Sequence, residues 1–202
     1  MTRPPVLLVH GLFAPRATML PFAWALQRAG FAAHTVKLPP LNTAAVERSV
    51  ALLSNRVAEV LAESGAEKCD LVGMSLGGII ALSYVQAPAN AARVRRLIAV
   101  GTPVHGTWSA AAAVALLGPL CPAGRQCLPG SELLRELIAR GLPEGVEVTA
   151  VYGSFDPVAP ASRCHLEGAR NIEIKTLPQP LAHQTLIASP EAVRTLIGIL
   201  EA

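Results

Sequence analysis

The feature of this chain that most restricts its fold is an alternation. Short runs of β-branched and leucine residues occur at Val6–His10, Ala33–Lys37, Cys69–Gly73, Leu97–Gly101, Val146–Gly153 and Asn171–Thr176. Between them lie stretches with helical spacing. Strands joined by helices run parallel, because a crossover returns the chain to the same end of the sheet. Several of the runs are almost unbroken in apolar residues, as strands covered on both faces should be. The helical stretches are Thr18–Ala29, Thr43–Ser64, Leu76–Gln86, Ser131–Arg140 and a last one that Pro190 opens after Ser189, a cap followed by proline at the first helical position. In the second, Val46, Val50, Leu53, Val57, Val60 and Leu61 keep close to a 3.6-residue period. The expected architecture is α/β: a mostly parallel six-stranded sheet with helices on both faces. A chain of 202 residues reads as a single domain over 1–202, able to bury about 70% of its unfolded surface.

One stretch breaks the alternation. Residues 107–130 hold an Ala/Val/Leu run followed by Pro119, Cys121, Pro122, Gly124, Cys127, Pro129 and Gly130. Insertions of this length are usually functional or mobile. It reads either as a lid over a site or as a core-packing helix with a surface loop. A disulfide between Cys121 and Cys127 would staple its loop, whereas a reducing compartment argues against one; both readings stay open.

Composition excludes several classes. Charged residues are 15% of the chain against a norm of about 25%, and the formal charge is only +3. Lys and Arg are scattered except for Arg93, Arg95 and Arg96, which read as a solvated entrance to a strand. No nucleic-acid partner is expected. The four cysteines form no CxxC pair and no zinc spacing, so no metal and no cofactor are expected. The apolar run after Met1-Thr-Arg-Pro-Pro5 is too short for a leader or a membrane span, which makes the cytoplasm the expected compartment.

The chemistry is carried by Gly73-Met-Ser-Leu-Gly77, a G-x-S-x-G between a strand and a helix that begins at once. In that setting the serine sits on a strained turn, and glycines on either side avoid collision with neighbouring backbone. Ser75 is therefore the candidate nucleophile, at a helix N-terminus that favours developing negative charge. A serine hydroxyl needs a base, and the base a third group to orient it. The usual order after this motif is acid, then histidine. Of the two aspartates, Asp70 begins the strand that leads to Ser75, roughly 16 Å away at the wrong end of the sheet. Asp156 lies just past a strand, on the carboxyl edge where open α/β sheets place their sites.

Among the five histidines, His34 opens a strand, His165 falls on a helix surface and His10 organises a loop. His183 follows the last strand and satisfies both order and edge; His105 is the runner-up base. Acyl transfer also needs two donors for an oxyanion. The amide of Leu76 is one, and Leu12 in His10-Gly-Leu-Phe13 is the choice for the other, with Phe13 second.

With these residues in hand, the chain resembles the lipase/esterase branch of the α/β-hydrolase family over nearly its whole length. Val6-Leu-Leu-Val-His-Gly-Leu12 resembles the family's oxyanion strand and loop, and Gly73–Gly78 its nucleophile elbow. Gly101-Thr-Pro-Val-His-Gly-Thr107 is similar to a GTPHxGT segment of bacterial lipases, with Val104 at the histidine's place. Gly153–Pro160 resembles the acid loop and Leu181–Leu186 the histidine loop. The resemblance implies a minimal α/β-hydrolase fold of six strands, with Ser75, Asp156 and His183 as triad and Leu12 and Leu76 as oxyanion donors. Few aspartates argue against the calcium site some lipases carry. The expected activity is carboxylester hydrolysis through an acyl-enzyme, on a small-molecule ester with an apolar acyl chain. Thioester cleavage, acyl transfer and amide hydrolysis use the same machinery and remain alternatives; a non-catalytic binding module is the remaining one.

Overall fold

Alternation of side chains along each strand builds two cores, one on each face of a sheet. The computed structural model describes residues 3–202; Met1 and Thr2, part of the N-terminal stretch read above, lie outside the described residues. Six strands, β1 (Val6–Val9), β2 (Ala33–Thr35), β3 (Cys69–Met74), β4 (Val94–Val100), β5 (Glu147–Gly153) and β6 (Arg170–Ile174), lie in the order β2-β1-β3-β4-β5-β6. Every neighbouring pair is parallel.

The helices are α1 (Leu20–Arg28), α2 (Val46–Ser64), α3 (Leu76–Val85), α4 (Pro88–Ala91), α5 (Ser109–Leu117), α6 (Pro122–Gln126), α7 (Glu132–Ala139), α8 (Ala161–Cys164), α9 (Ala182–Thr185) and α10 (Pro190–Glu201). Val6, Leu8, Val72, Met74, Ile98 and Val100 face α1 and α10, where Phe22, Leu26, Leu196 and Ile199 meet them. Leu7, Val9, Leu71, Leu97 and Ala99 face the other way, against Leu53 and Val57 of α2 and Ile79 and Ile80 of α3. Because neighbouring residues point to opposite faces, β1, β3, β4 and β5 feed both cores, whereas the edge strands β2 and β6 reach only the α1 and α10 side.

Ends are fixed locally. Gly65 (φ 67) closes α2 in the left-handed region, its N–H donating to Leu61 O. Ser131 and Ser189 cap α7 and α10 with their hydroxyl oxygens. The two largest boundary differences from the sequence reading are at the starts of α2 and β4. Helix α2 starts at Val46 rather than Thr43, because the backbone is still extended at Ala45 (φ −53, ψ 143). Strand β4 starts at Val94 rather than Leu97 and so takes in Arg95 and Arg96.

These arginines are not a solvated entrance. Arg95 Nε and Nη2 donate to both oxygens of the fully buried Asp70, at 3.0 and 2.6 Å. Arg96, itself buried, donates from Nε to Glu147 Oε2 at 2.8 Å and from Nη1 to Leu200 O at 3.0 Å. The charges sit within the sheet because each is paired, which a hydropathy pattern does not register. Among the described residues no helix is long and apolar enough to cross a membrane.

Candidate active site

The turn between β3 and α3 is one residue long. Ser75 has φ 55 and ψ −124, a conformation that costs a non-glycine residue about 1–3 kcal/mol. Packing holds it there: Ser75 N donates to Val100 O at 2.8 Å, and Gly78 N donates to Ser75 O at 2.9 Å. A Cβ on Gly73 would run into the backbone of Gly77 and Gly78, and one on Gly77 into the carbonyl of Val9. The two glycines are thus the condition for bringing β1, β3 and α3 close enough to lift the serine above the sheet.

Asp156 and His183 come from the exits of β5 and β6 on the same edge. Asp156 follows β5, and its Oδ1 accepts from Val158 N (2.9 Å) and Ala159 N (2.8 Å). Those bonds close a turn, so the turn-forming role of the residue is present too. They leave Oδ2 aimed at His183 Nδ1, 2.7 Å away, with both side chains buried. A carboxylate oxygen can only accept, which puts the proton on Nδ1 and leaves Nε2 as the acceptor. His183 lies on α9, after β6. Ser75 and His183 line one cavity of about 350 Å³. No hydrogen bond joins the Ser75 hydroxyl to the His183 imidazole among the described residues.

Leu12 and Leu76 line this same cavity. The N–H of Phe13, the second choice of donor, is engaged elsewhere and donates to Leu41 O at 2.7 Å. None of the remaining histidines lines that cavity. His105 Nε2 donates to His165 O at 3.0 Å, and His105 borders a different cavity with Val104 and Leu137. His10 is buried and bonds through Nδ1 to Gly11 O at 3.2 Å; burial pulls its pKa below the ordinary value. His34 is half-buried on β2, at the far end.

All four cysteines are free and buried, so Cys121 and Cys127 are not bridged. Cys127 reaches the cavity wall, but burial and then neighbouring Cys121 push its thiol up to about 12. It is a neutral thiol at pH 7 and does not compete with Ser75 as nucleophile. Among the described residues no group of three His, Cys, Asp or Glu side chains could hold a metal ion.

The 107–130 insertion supplies one wall. Ala110 and Ala113, one turn apart on α5, face the cavity beside Thr107 and Cys127. Leu116 does not; it is 82% exposed. Sequence reasoning missed two contributors. Thr102, buried after β4, fills the space that a side chain on Gly78 would need. The turn Pro40–Asn42 holds the loop after β1. Pro39-Pro40 marks a break there, but nothing in the sequence marks its contact with His10.

The sheet order, the elbow after β3 and the placement of polar groups at the strand exits define an α/β-hydrolase fold. The chain belongs to the palmitoyl protein thioesterase family, whose model matches residues 5–142; it is a hydrolase of the lipase, esterase and thioesterase kind. That match spans the β1 loop and the elbow and ends before Asp156 and His183. Solved structures agree on the fold. A lipase of Bacillus licheniformis in its mature form superposes with a TM-score of 0.81 at 20% identity, over 98% of this chain and 92% of that one. Aspergillus fumigatus lipase B gives 0.79 at 21%, over 100% and 53%. A monoacylglycerol lipase of Paleococcus ferrophilus gives 0.66 at 16%, over 98% and 95%.

Proposed function

We propose that this chain cleaves carboxylic esters of apolar acyl chains through an acyl-enzyme on Ser75. The observation that carries the reading is the 2.7 Å pairing of His183 Nδ1 with Asp156 Oδ2 in the cavity that Ser75 lines. His183 Nε2, left as an acceptor, takes the Ser75 proton as Oγ attacks the carbonyl carbon. The oxyanion that forms is held by the amides of Leu12 and Leu76, donors of the kind worth about 10²–10³ in kcat each. His183 returns the proton to the departing alkoxide, and the alcohol leaves. Water then attacks the acyl-enzyme along the same route and frees the acid. Asp156 holds the His183 tautomer and stabilises the transient imidazolium.

The apolar acyl chain is argued from the walls. Leu12, Phe13, Leu76, Ala110, Ala113 and Val158 line the cavity, and no Lys, Arg, Asp or Glu is among the described residues that do. The insertion 107–130 is read as the cover of the acyl slot. A thioester is the second reading, favoured by the family match. A thiolate is a better leaving group than an alkoxide and depends less on protonation by His183. Matched hexanoyl esters of an alkyl alcohol and of an alkyl thiol separate the two. The ester reading expects comparable or higher kcat/KM on the oxygen ester. Turnover confined to the thioester would replace it with the second.

A further inference from the structure

Among the described residues four non-glycine residues have positive φ: Phe13 (54), Leu41 (53), Asn42 (52) and Ser75 (55). Ser75 is the elbow, and Phe13 follows Leu12. Leu41 and Asn42 lie some thirty residues further along, in a turn with no chemistry of its own. Strained backbone persists only where surroundings over-determine it, and here the surroundings are the loop after β1. Leu41 O accepts the Phe13 N–H at 2.7 Å. Asn42, with no exposed surface, donates from Nδ2 to His10 O at 3.0 Å. Its Oδ1 accepts from the hydroxyl of Ser49, equally buried on α2, at 3.0 Å. Asn42 N donates to Pro39 O at 2.8 Å and closes the turn.

The consequence falls on Leu12. The His10 carbonyl and the Phe13 amide are the anchored groups on either side of it, one held by Asn42 and the other by its neighbour Leu41. With both engaged, the peptide that carries the Leu12 N–H is fixed from two directions. The Phe13 amide is also consumed, so it cannot compete for a ligand. We propose that Asn42 is a positioning residue that holds the β1 loop with the Leu12 amide turned toward the carbonyl attacked by Ser75. Asparagine suits the place because it tolerates the left-handed region and offers a donor and an acceptor on one short side chain. The role is distinct from that of a catalytic residue, since Asn42 meets neither Ser75 nor the acyl group. It rests on the proposed hydrolase mechanism and adds the part that keeps its oxyanion donor in place.

The test uses Asn42→Asp, which keeps shape and the acceptor for Ser49 but replaces the donor to His10 O by an oxygen. Ser49→Ala, which removes the bond that orients Asn42, is the milder companion. Each protein is titrated with a fluorophosphonate to count competent sites, and kcat and KM are measured per titrated site on hexanoyl and acetyl esters. A donor misplaced by a fraction of an ångström should lower kcat by about 10- to 10²-fold in N42D, by a smaller factor in S49A, equally on both esters and with KM little changed. Wild-type kcat per titrated site in N42D, with only fewer sites or a lower Tm, overturns the inference and reduces Asn42 to a structural residue. A loss carried by KM overturns it as well. Ser75→Ala, run alongside, keeps the two levels apart. An inactive S75A with a fully active N42D contradicts the positioning role alone. A fully active S75A contradicts the hydrolase mechanism and this inference with it.

Discussion

The two ends of the sheet put the same kinds of side chain to opposite uses. At the entrance of the strands, Asp70 is fully buried and both of its oxygens are taken by Arg95, while Arg96 bridges Glu147 and the carbonyl of Leu200 at the end of α10. Each of these four charges closes on another part of the fold. At the exit, Asp156 spends one oxygen on its own loop and the other on His183, whose far nitrogen is left as an acceptor. All four strained non-glycine residues among those described lie at this end. The entrance is built for closure, and the exit stores strain and leaves polar groups unspent. Position in the parallel sheet, rather than residue type, decides which fate an aspartate meets.

Exchanging the two aspartates for asparagine tests that division most severely. Asp156→Asn lets His183 adopt the wrong tautomer and should lower kcat by about 10⁴-fold with little change in Tm. Asp70→Asn breaks a buried pair and should cost about 2–4 kcal/mol in chemical denaturation while kcat per folded molecule holds. A reversal, with activity lost at Asp70 or stability at Asp156, would break the comparison. A smaller effect is expected in the acyl slot. Ala113→Phe fills space next to Ala110, so kcat/KM on hexanoyl esters should fall about 10- to 30-fold relative to acetyl esters, given roughly 0.8 kcal/mol per buried CH₂. Leu116→Ser should leave that ratio alone, because Leu116 is outside the cavity.

The mildest effect is on acid stability. Burial holds His10 below the ordinary value of 6.5, so the unfolded chain binds the proton first as pH falls. Stability from this group is complete above about pH 6.5 and drains away as pH drops toward the folded-state value. His34 acts in the same sense, through burial and then the nearby Arg56. His34→Gln should therefore flatten the fall of Tm below pH 6.5, leaving Tm at pH 8 nearly as it was. An unaltered acid limb would contradict the assignment.

Most of the exit edge was legible in the sequence because its logic is local. A one-residue turn between strand and helix forces glycine at Gly73 and Gly77, and the order serine, acid, histidine leaves Asp156 and His183. What the sequence did not disclose depends on contacts between distant segments. The Asp70–Arg95 pair joins an aspartate at the start of one strand to an arginine that reads as a solvated entrance to another. The clamp of Leu41 and Asn42 on the β1 loop lies between Lys37 and Thr43, outside every element the sequence predicts. Of the apolar run in the insertion, Ala110 and Ala113 reach the cavity and Leu116 faces solvent, since burial depends on the face a helix turns and α5 is apolar nearly all round.

The central claim is that Ser75 carries the acyl group, and the direct measurement is a trap of that intermediate. Quenching the protein in acid within the first turnovers of a hexanoyl ester, followed by peptide mapping by mass spectrometry, should find one hexanoyl group on the peptide holding Ser75 and none on Ser75→Ala. A hexanoyl group on another residue, or the same acylation in the alanine variant, would contradict the account.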